Sequence, residues 1–167
     1  MNKTLIIYGT RKGTTRETVQ VIAEILQSKF SHVIDIADST QIKSIKKRIN
    51  YYDNIIIGSS IVSGFWKGSI LSFAKKDIFN NKNVAVFVTA GGTLNKVAKY
   101  NISKEEALNE GIEKYINKYL KKFKFSPVSK AAFGGKRIKK NNLIYNSWNK
   151  DDIANWSIDL GNLLTKI

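Results

Sequence analysis

Residues Leu5–Glu17 read LIIYGTRKGTTRE. Leu5, Ile6, Ile7 and Tyr8 form an apolar, β-rich run that stops at Gly9, and the residues after Thr15 take up a helical recurrence of apolar positions. The segment is therefore a strand, a hydroxyl-rich loop and a helix. The first amides of a helix lack partners within it and sit at the positive end of its dipole, so a loop that delivers them to one point makes a phosphate site. Thr10, Thr14 and Thr15 offer hydroxyl donors, Arg11 and Lys12 offer positive charge, and Gly13 lets the backbone close around an anion. Neither the G-x-G-x-x-G of dinucleotide binders nor the G-x-x-x-x-G-K-[ST] of P-loops occurs.

Outward from this stretch the chain alternates. Thr14 and Glu17 have capping-box spacing, and Val19, Ile22, Ala23, Ile25, Leu26 and Phe30 mark helix one. His32–Ala37 is a second strand; Ser39 or Thr40 is expected to cap a helix through Ile42, Ile45 and Ile49. Asp53–Ser59 is a third strand, and Phe73, Ala74, Ile78 and Phe79 mark helix three. Val84–Thr89 is a fourth strand, followed by a helix opened by Ser103 and Glu106, running through Tyr119 and Leu120 and stopped with the help of Pro127. Val128–Phe133 is a fifth strand, and Asp151–Ile167 an amphipathic last helix. Near-continuous apolar strands alternating with helices argue for an α/β fold: a doubly wound five-stranded parallel sheet in the order 2-1-3-4-5, covered by helices on both faces as three layers. Its ligand belongs at the carboxyl ends of strands one and three. Residues 1–167 are expected to form one domain.

Two further loops reach that rim. One is Ser59, Ser60, Ile61, Val62, Ser63, Gly64, Phe65 and Trp66, in which either aromatic ring is expected to stack on a flat ligand or to seat helix three. The other is Thr89, Ala90, Gly91, Gly92 and Thr93, whose glycines permit close backbone approach. His32, remote from the rim, is expected at the surface.

The first loop resembles the T-x-x-G-x-T loop of flavodoxins through Thr10, Gly13 and Thr15, with Lys12 and Thr14 departing from the usual residues. Within that family it is similar to the flavodoxin-type, menaquinone-dependent protoporphyrinogen oxidases, whose T-R-x-G-x-T-R-E is met by Thr10, Arg11, Gly13, Thr15, Arg16 and Glu17. Their G-x-S-I-x-x-G is met by Gly58, Ser60, Ile61 and Gly64. The resemblance implies FMN, with its phosphate in the first loop and its ring between the other two. It implies an oxidoreductase in which the flavin carries the chemistry, no side chain is assigned as catalytic, and a quinone or another acceptor reoxidises the cofactor. Trp148 and the last helix resemble the C-terminal part of that branch, with Lys136–Ser147 in place of a longer basic insertion.

Composition bounds the alternatives. Without cysteine, the chain has no thiolate nucleophile or iron–sulfur ligand, and one histidine argues against a zinc site, so no metal is expected. No apolar run approaches a membrane span and the N-terminus has no signal pattern, so a cytoplasmic location is expected. The net charge is +15, and Lys114–Lys150 holds eleven Lys or Arg and no acid. Such a field suits an acidic redox partner protein or an anionic membrane surface touched peripherally by the basic C-terminal half. A non-enzymatic electron carrier is the alternative reading. A basic nucleic-acid-binding domain without flavin is the weaker one, as no nucleic-acid motif accompanies the charge.

Overall fold

The computed structural model describes residues 2–166. Five strands, β1 (Lys3–Gly9), β2 (Val33–Asp38), β3 (Asn54–Ser60), β4 (Asn83–Thr89) and β5 (Ser129–Phe133), form one sheet. All neighbours pair parallel, in the order β2-β1-β3-β4-β5. The helices are α1 (Thr14–Phe30), α2 (Ile42–Arg48), α3 (Gly68–Ala74), α4 (Asn95–Tyr100), α5 (Lys104–Tyr115) and α6 (Lys150–Lys166). No helix among the described residues is long and apolar enough to cross a membrane.

The two-residue period of a strand sorts the core into two halves. Ile6, Tyr8, Ile56, Ala85, Phe87, Ala131 and Phe133 face α1 and α6, meeting Val19, Ile22, Leu26, Ile153, Leu160 and Leu164. Leu5, Ile7, Ile55, Ile57, Val84, Val86 and Val88 face the opposite layer, with Ile45, Ile70, Phe73, Ile116 and Tyr119. Both faces being covered explains why these strands are apolar throughout.

Several local expectations are corrected. Helix α1 is preceded by Gly13 at φ 87° and receives no side-chain cap, so the Thr14–Glu17 box does not form. The cap of the second helical segment is Asp38, whose carboxylate accepts from the Thr40 amide at 2.7 Å while the Gln41 side chain accepts from the Asp38 amide at 3.0 Å. The Thr40 hydroxyl, donating to the same carboxylate at 2.6 Å, and the Thr40 amide hold the Asp38 carboxyl below its ordinary range. Helix α3 ends at Ala74, and Phe79 reaches the core from the following loop, packed edge-on against Phe73 and Phe125. Helix α5 stops at Tyr115, ahead of a 3-10 turn at Asn117–Lys122, so Pro127 leads into β5 and does not end the helix. His32 is buried, with Nδ1 2.8 Å from Thr4 Oγ1; burial lowers its pKa. Lys136–Ser147, expected as a plain basic stretch, contains an antiparallel hairpin of β6 (Lys136–Lys139) and β7 (Asn142–Asn146).

Candidate functional site

At the carboxyl ends of β1, β3 and β4 lies a hollow of about 40 Å3, lined by Thr10, Arg11, Lys12, Thr14, Thr15, Ser60, Ile61, Val62, Thr89, Gly91, Gly135 and Lys136. Its floor is the start of α1. The helix's first internal bond runs from the Glu17 amide to the Gly13 carbonyl at 3.1 Å. The amides of Thr14, Thr15 and Arg16 therefore have no partner among the described residues. The left-handed turn at Gly13 opens this end, and the Gly13 amide is held by Thr10 Oγ1 at 2.9 Å. A Cβ added at Gly13 would meet nothing within 4 Å, but a side chain at that φ is strained.

The hydroxyls divide by role. Thr15 Oγ1 lies 2.7 Å from Thr89 Oγ1, locking the helix start to the end of β4. The Thr14 hydroxyl has no partner among the described residues, although the residue is largely buried. Ser59 is fully buried; its Oγ accepts from the Lys67 amide at 2.9 Å and donates to the Ser60 carbonyl at 3.1 Å, so its role lies within the loop.

The second loop is a tight hairpin. Val62 and Phe65 exchange amide–carbonyl bonds of 3.1 and 3.0 Å across Ser63 at φ 50° and Gly64 at φ 83°. This is the pair of positive φ values that a two-residue primed turn requires. The loop is tied to β4 by the Ile61 amide bonding to the Thr89 carbonyl at 2.9 Å. Trp66 is 3% exposed, its Nε1 donates to the Tyr115 carbonyl at 2.6 Å, and its ring packs against Tyr119 and Phe123. Trp66 thus seats the loop in the core and is not presented for stacking. Phe65 is 64% exposed beneath the Lys118 ammonium, outside the hollow's lining.

In the third loop only Thr89 and Gly91 line the hollow. Thr93 is turned towards α5, where its buried Oγ1 has no partner among the described residues, and with Gly92 it borders a separate crevice beside Lys96 and Tyr115. Ala90 is buried, its amide bonded to the Phe133 carbonyl. Sequence reasoning missed Gly135, Lys136 and Tyr145. Ser147 ties the hairpin base to this loop, its one hydroxyl proton shared between the carbonyls of Gly91 at 3.2 Å and Gly135 at 3.0 Å while its oxygen accepts from the Gly135 amide. The Tyr145 hydroxyl would lie 3.3 Å from a Cβ on Gly91. The signal was present: Gly134–Gly135 directly follows strand five, and in a doubly wound sheet every strand end opens on the same rim. Lys136 pairs with Glu17 at 2.5 Å and lies over the Trp148 ring. No acid or histidine lines the hollow among the described residues.

The profile of the flavodoxin domain family matches residues 5–153. The chain belongs to the flavodoxin family. It is 29% identical to the protoporphyrinogen IX dehydrogenase [quinone] of Escherichia coli K12 over 134 residues, covering 80% of this chain and 68% of that protein. Oxidised flavodoxin 2 from Bacillus cereus superposes with a TM-score of 0.61 at 18% identity, covering 99% of both chains. Rubredoxin oxygen:oxidoreductase from Desulfovibrio gigas gives a TM-score of 0.67 at 14% identity, covering 99% of this flavodoxin-family chain and 37% of that protein.

Proposed function

We propose that the chain is a single FMN-binding domain and acts as an oxidoreductase of the protoporphyrinogen–quinone type. The observation that carries the cofactor is the set of amides at Thr14, Thr15 and Arg16 that have no partner among the described residues, at the head of a 17-residue helix whose Thr14 and Thr15 line the rim hollow. Their donors and the helix dipole suit a dianionic phosphate, with the Thr14 hydroxyl adding a donor and Lys12 countercharge. The ring belongs between Ile61–Val62 and Gly91. FMN supplies hydride acceptance there, and the chain supplies binding, orientation and water exclusion. With no carboxylate or imidazole in the lining, the protein assigns no proton to a side chain beside the ring. The similarity to the Escherichia coli dehydrogenase supports the substrate class.

The second reading, an electron carrier docking an acidic partner, is favoured by one observation. Lys118 lies exposed over Phe65 of the second loop and over Tyr119, and Lys114 and Lys122 lie exposed over Tyr115 and Tyr119, none with an acidic partner among the described residues. The deciding experiment titrates the purified chain with FMN by visible absorbance, then supplies protoporphyrinogen with a menaquinone analogue. A yellow complex that oxidises the porphyrinogen is expected. Flavin uptake without turnover, but with salt-sensitive electron transfer to an acidic protein, moves the assignment to a carrier. A chain that refuses FMN and binds DNA with a steep salt slope removes both.

A further inference from the structure

Arg11 stands in the phosphate loop, yet its guanidinium is engaged elsewhere. Nη1 donates to the Ser60 carbonyl at 3.2 Å, the Ser60 hydroxyl at 3.4 Å and the Phe65 carbonyl at 3.3 Å, while Nη2 donates to the Trp66 carbonyl at 2.8 Å. The stitch is returned from the other side, where Lys67 Nζ donates to the Thr10 carbonyl at 3.1 Å. Arg11 has no carboxylate partner among the described residues. A planar fork with five donors can bridge several carbonyls at once, which a point-charge ammonium cannot. The carbonyls it gathers belong to both limbs of the second loop, on either side of the Val62–Phe65 turn. Ser60, Ile61 and Val62 of that loop wall the hollow.

We propose that Arg11 is a positioning residue for the ring-side wall and not a phosphate ligand, an inference that rests on the flavin reading above. It clamps residues 60–66 into the shape against which the isoalloxazine lies, and couples that wall to the loop that takes the phosphate. The flavin's own chemistry separates the two roles, because riboflavin carries the same ring without the phosphate.

The test measures FMN and riboflavin dissociation constants for the unmodified chain, Arg11→Ala, Arg11→Lys and Thr14→Val, with backbone hydrogen exchange followed in the flavin-free proteins. Arg11→Ala is expected to weaken both flavins by a similar factor, roughly tenfold, leaving their ratio unchanged. Exchange should accelerate at residues 60–67 while the melting temperature stays near that of the unmodified chain. Arg11→Lys keeps the charge but loses the fork, and should behave like the alanine variant. Thr14→Val should weaken FMN alone.

The proposal is overturned if Arg11→Ala weakens FMN and spares riboflavin, if Arg11→Lys restores full affinity, or if exchange at 60–67 is unchanged. An unmodified chain that binds neither flavin overturns the cofactor reading instead, and exchange at 60–67 then decides the clamp by itself.

Discussion

The two ends of the parallel sheet both bond most of their polar side chains but differ in their backbone donors. At the amino end, Thr4 Oγ1 is shared by His32 and the Asn54 side-chain amide, and Asn54 Oδ1 accepts from Asn83. The Lys3 amide donates to the Asp53 carboxylate, while the Asp53 amide bonds to the Lys3 carbonyl and the Asn83 amide to the Asp53 carbonyl. At the carboxyl end, three successive amides at the head of α1 have no partner among the described residues. The first amides of any helix lack partners within it; here Thr14 and Thr15 are buried at the rim hollow and α1 has no side-chain cap, so the donors of this open end suit an anion bound there.

The largest expected effect comes from spoiling the open end. Gly13→Val forces a β-branched residue into a left-handed conformation and turns the amides that follow it. FMN affinity is expected to fall roughly 100-fold or more, the scale of losing two charge-assisted hydrogen bonds, as measured by absorbance titration. Stability should fall by only about 1–2 kcal/mol in a urea melt. Unaltered FMN binding in that variant would show that the amides of Thr14–Arg16 do not hold the phosphate.

Spoiling the closed end should do the reverse. Asn54→Leu leaves Thr4 Oγ1 and the Asn83 side chain short of a partner in a site where Asn54 is 2% exposed. The expected cost is about 1–3 kcal/mol of unfolding free energy, read by denaturant titration, with flavin affinity unchanged. A coupled loss of flavin binding would mean that the two ends are not independent.

The same contrast explains what could be read from the sequence. That the sheet is parallel and covered on both faces follows from apolar strands such as NIIIGSS and NVAVFVT, and its order from right-handed crossovers in a sheet of this size. The three rim loops follow from that order. The direction of individual side chains did not. Trp66 and Phe65 are adjacent aromatics with the same local signal, and only the register of the Val62–Phe65 turn sends one into the core and the other to solvent. Arg11 reads as phosphate countercharge until the fold brings Ser60 and Trp66 within reach of its fork. His32 looked peripheral because its partners Asn2 and Thr4 are thirty and twenty-eight positions away in sequence and adjacent only through β1–β2 pairing.

The smallest effect sharpens the comparison through pH. His32 is buried at the closed end, and that burial lowers its pKa from the ordinary value near 6.5. The folded chain therefore resists a proton that the unfolded chain accepts. The neutral form's contribution to stability is fully present above about pH 6.5 and is lost as pH falls below that value towards the lowered folded pKa. Urea midpoints taken between pH 7.5 and 5.5 should drop on the acid side, and His32→Gln should flatten that drop, since a glutamine amide has no proton to gain. Dissociation of FMN over the same range should not follow His32, because the imidazole sits among Thr4 and Asn2 at the far end of β1 from the α1 amides. A flavin affinity that moved with the His32→Gln substitution would tie the closed end to the open one and dissolve the separation on which the site assignment depends.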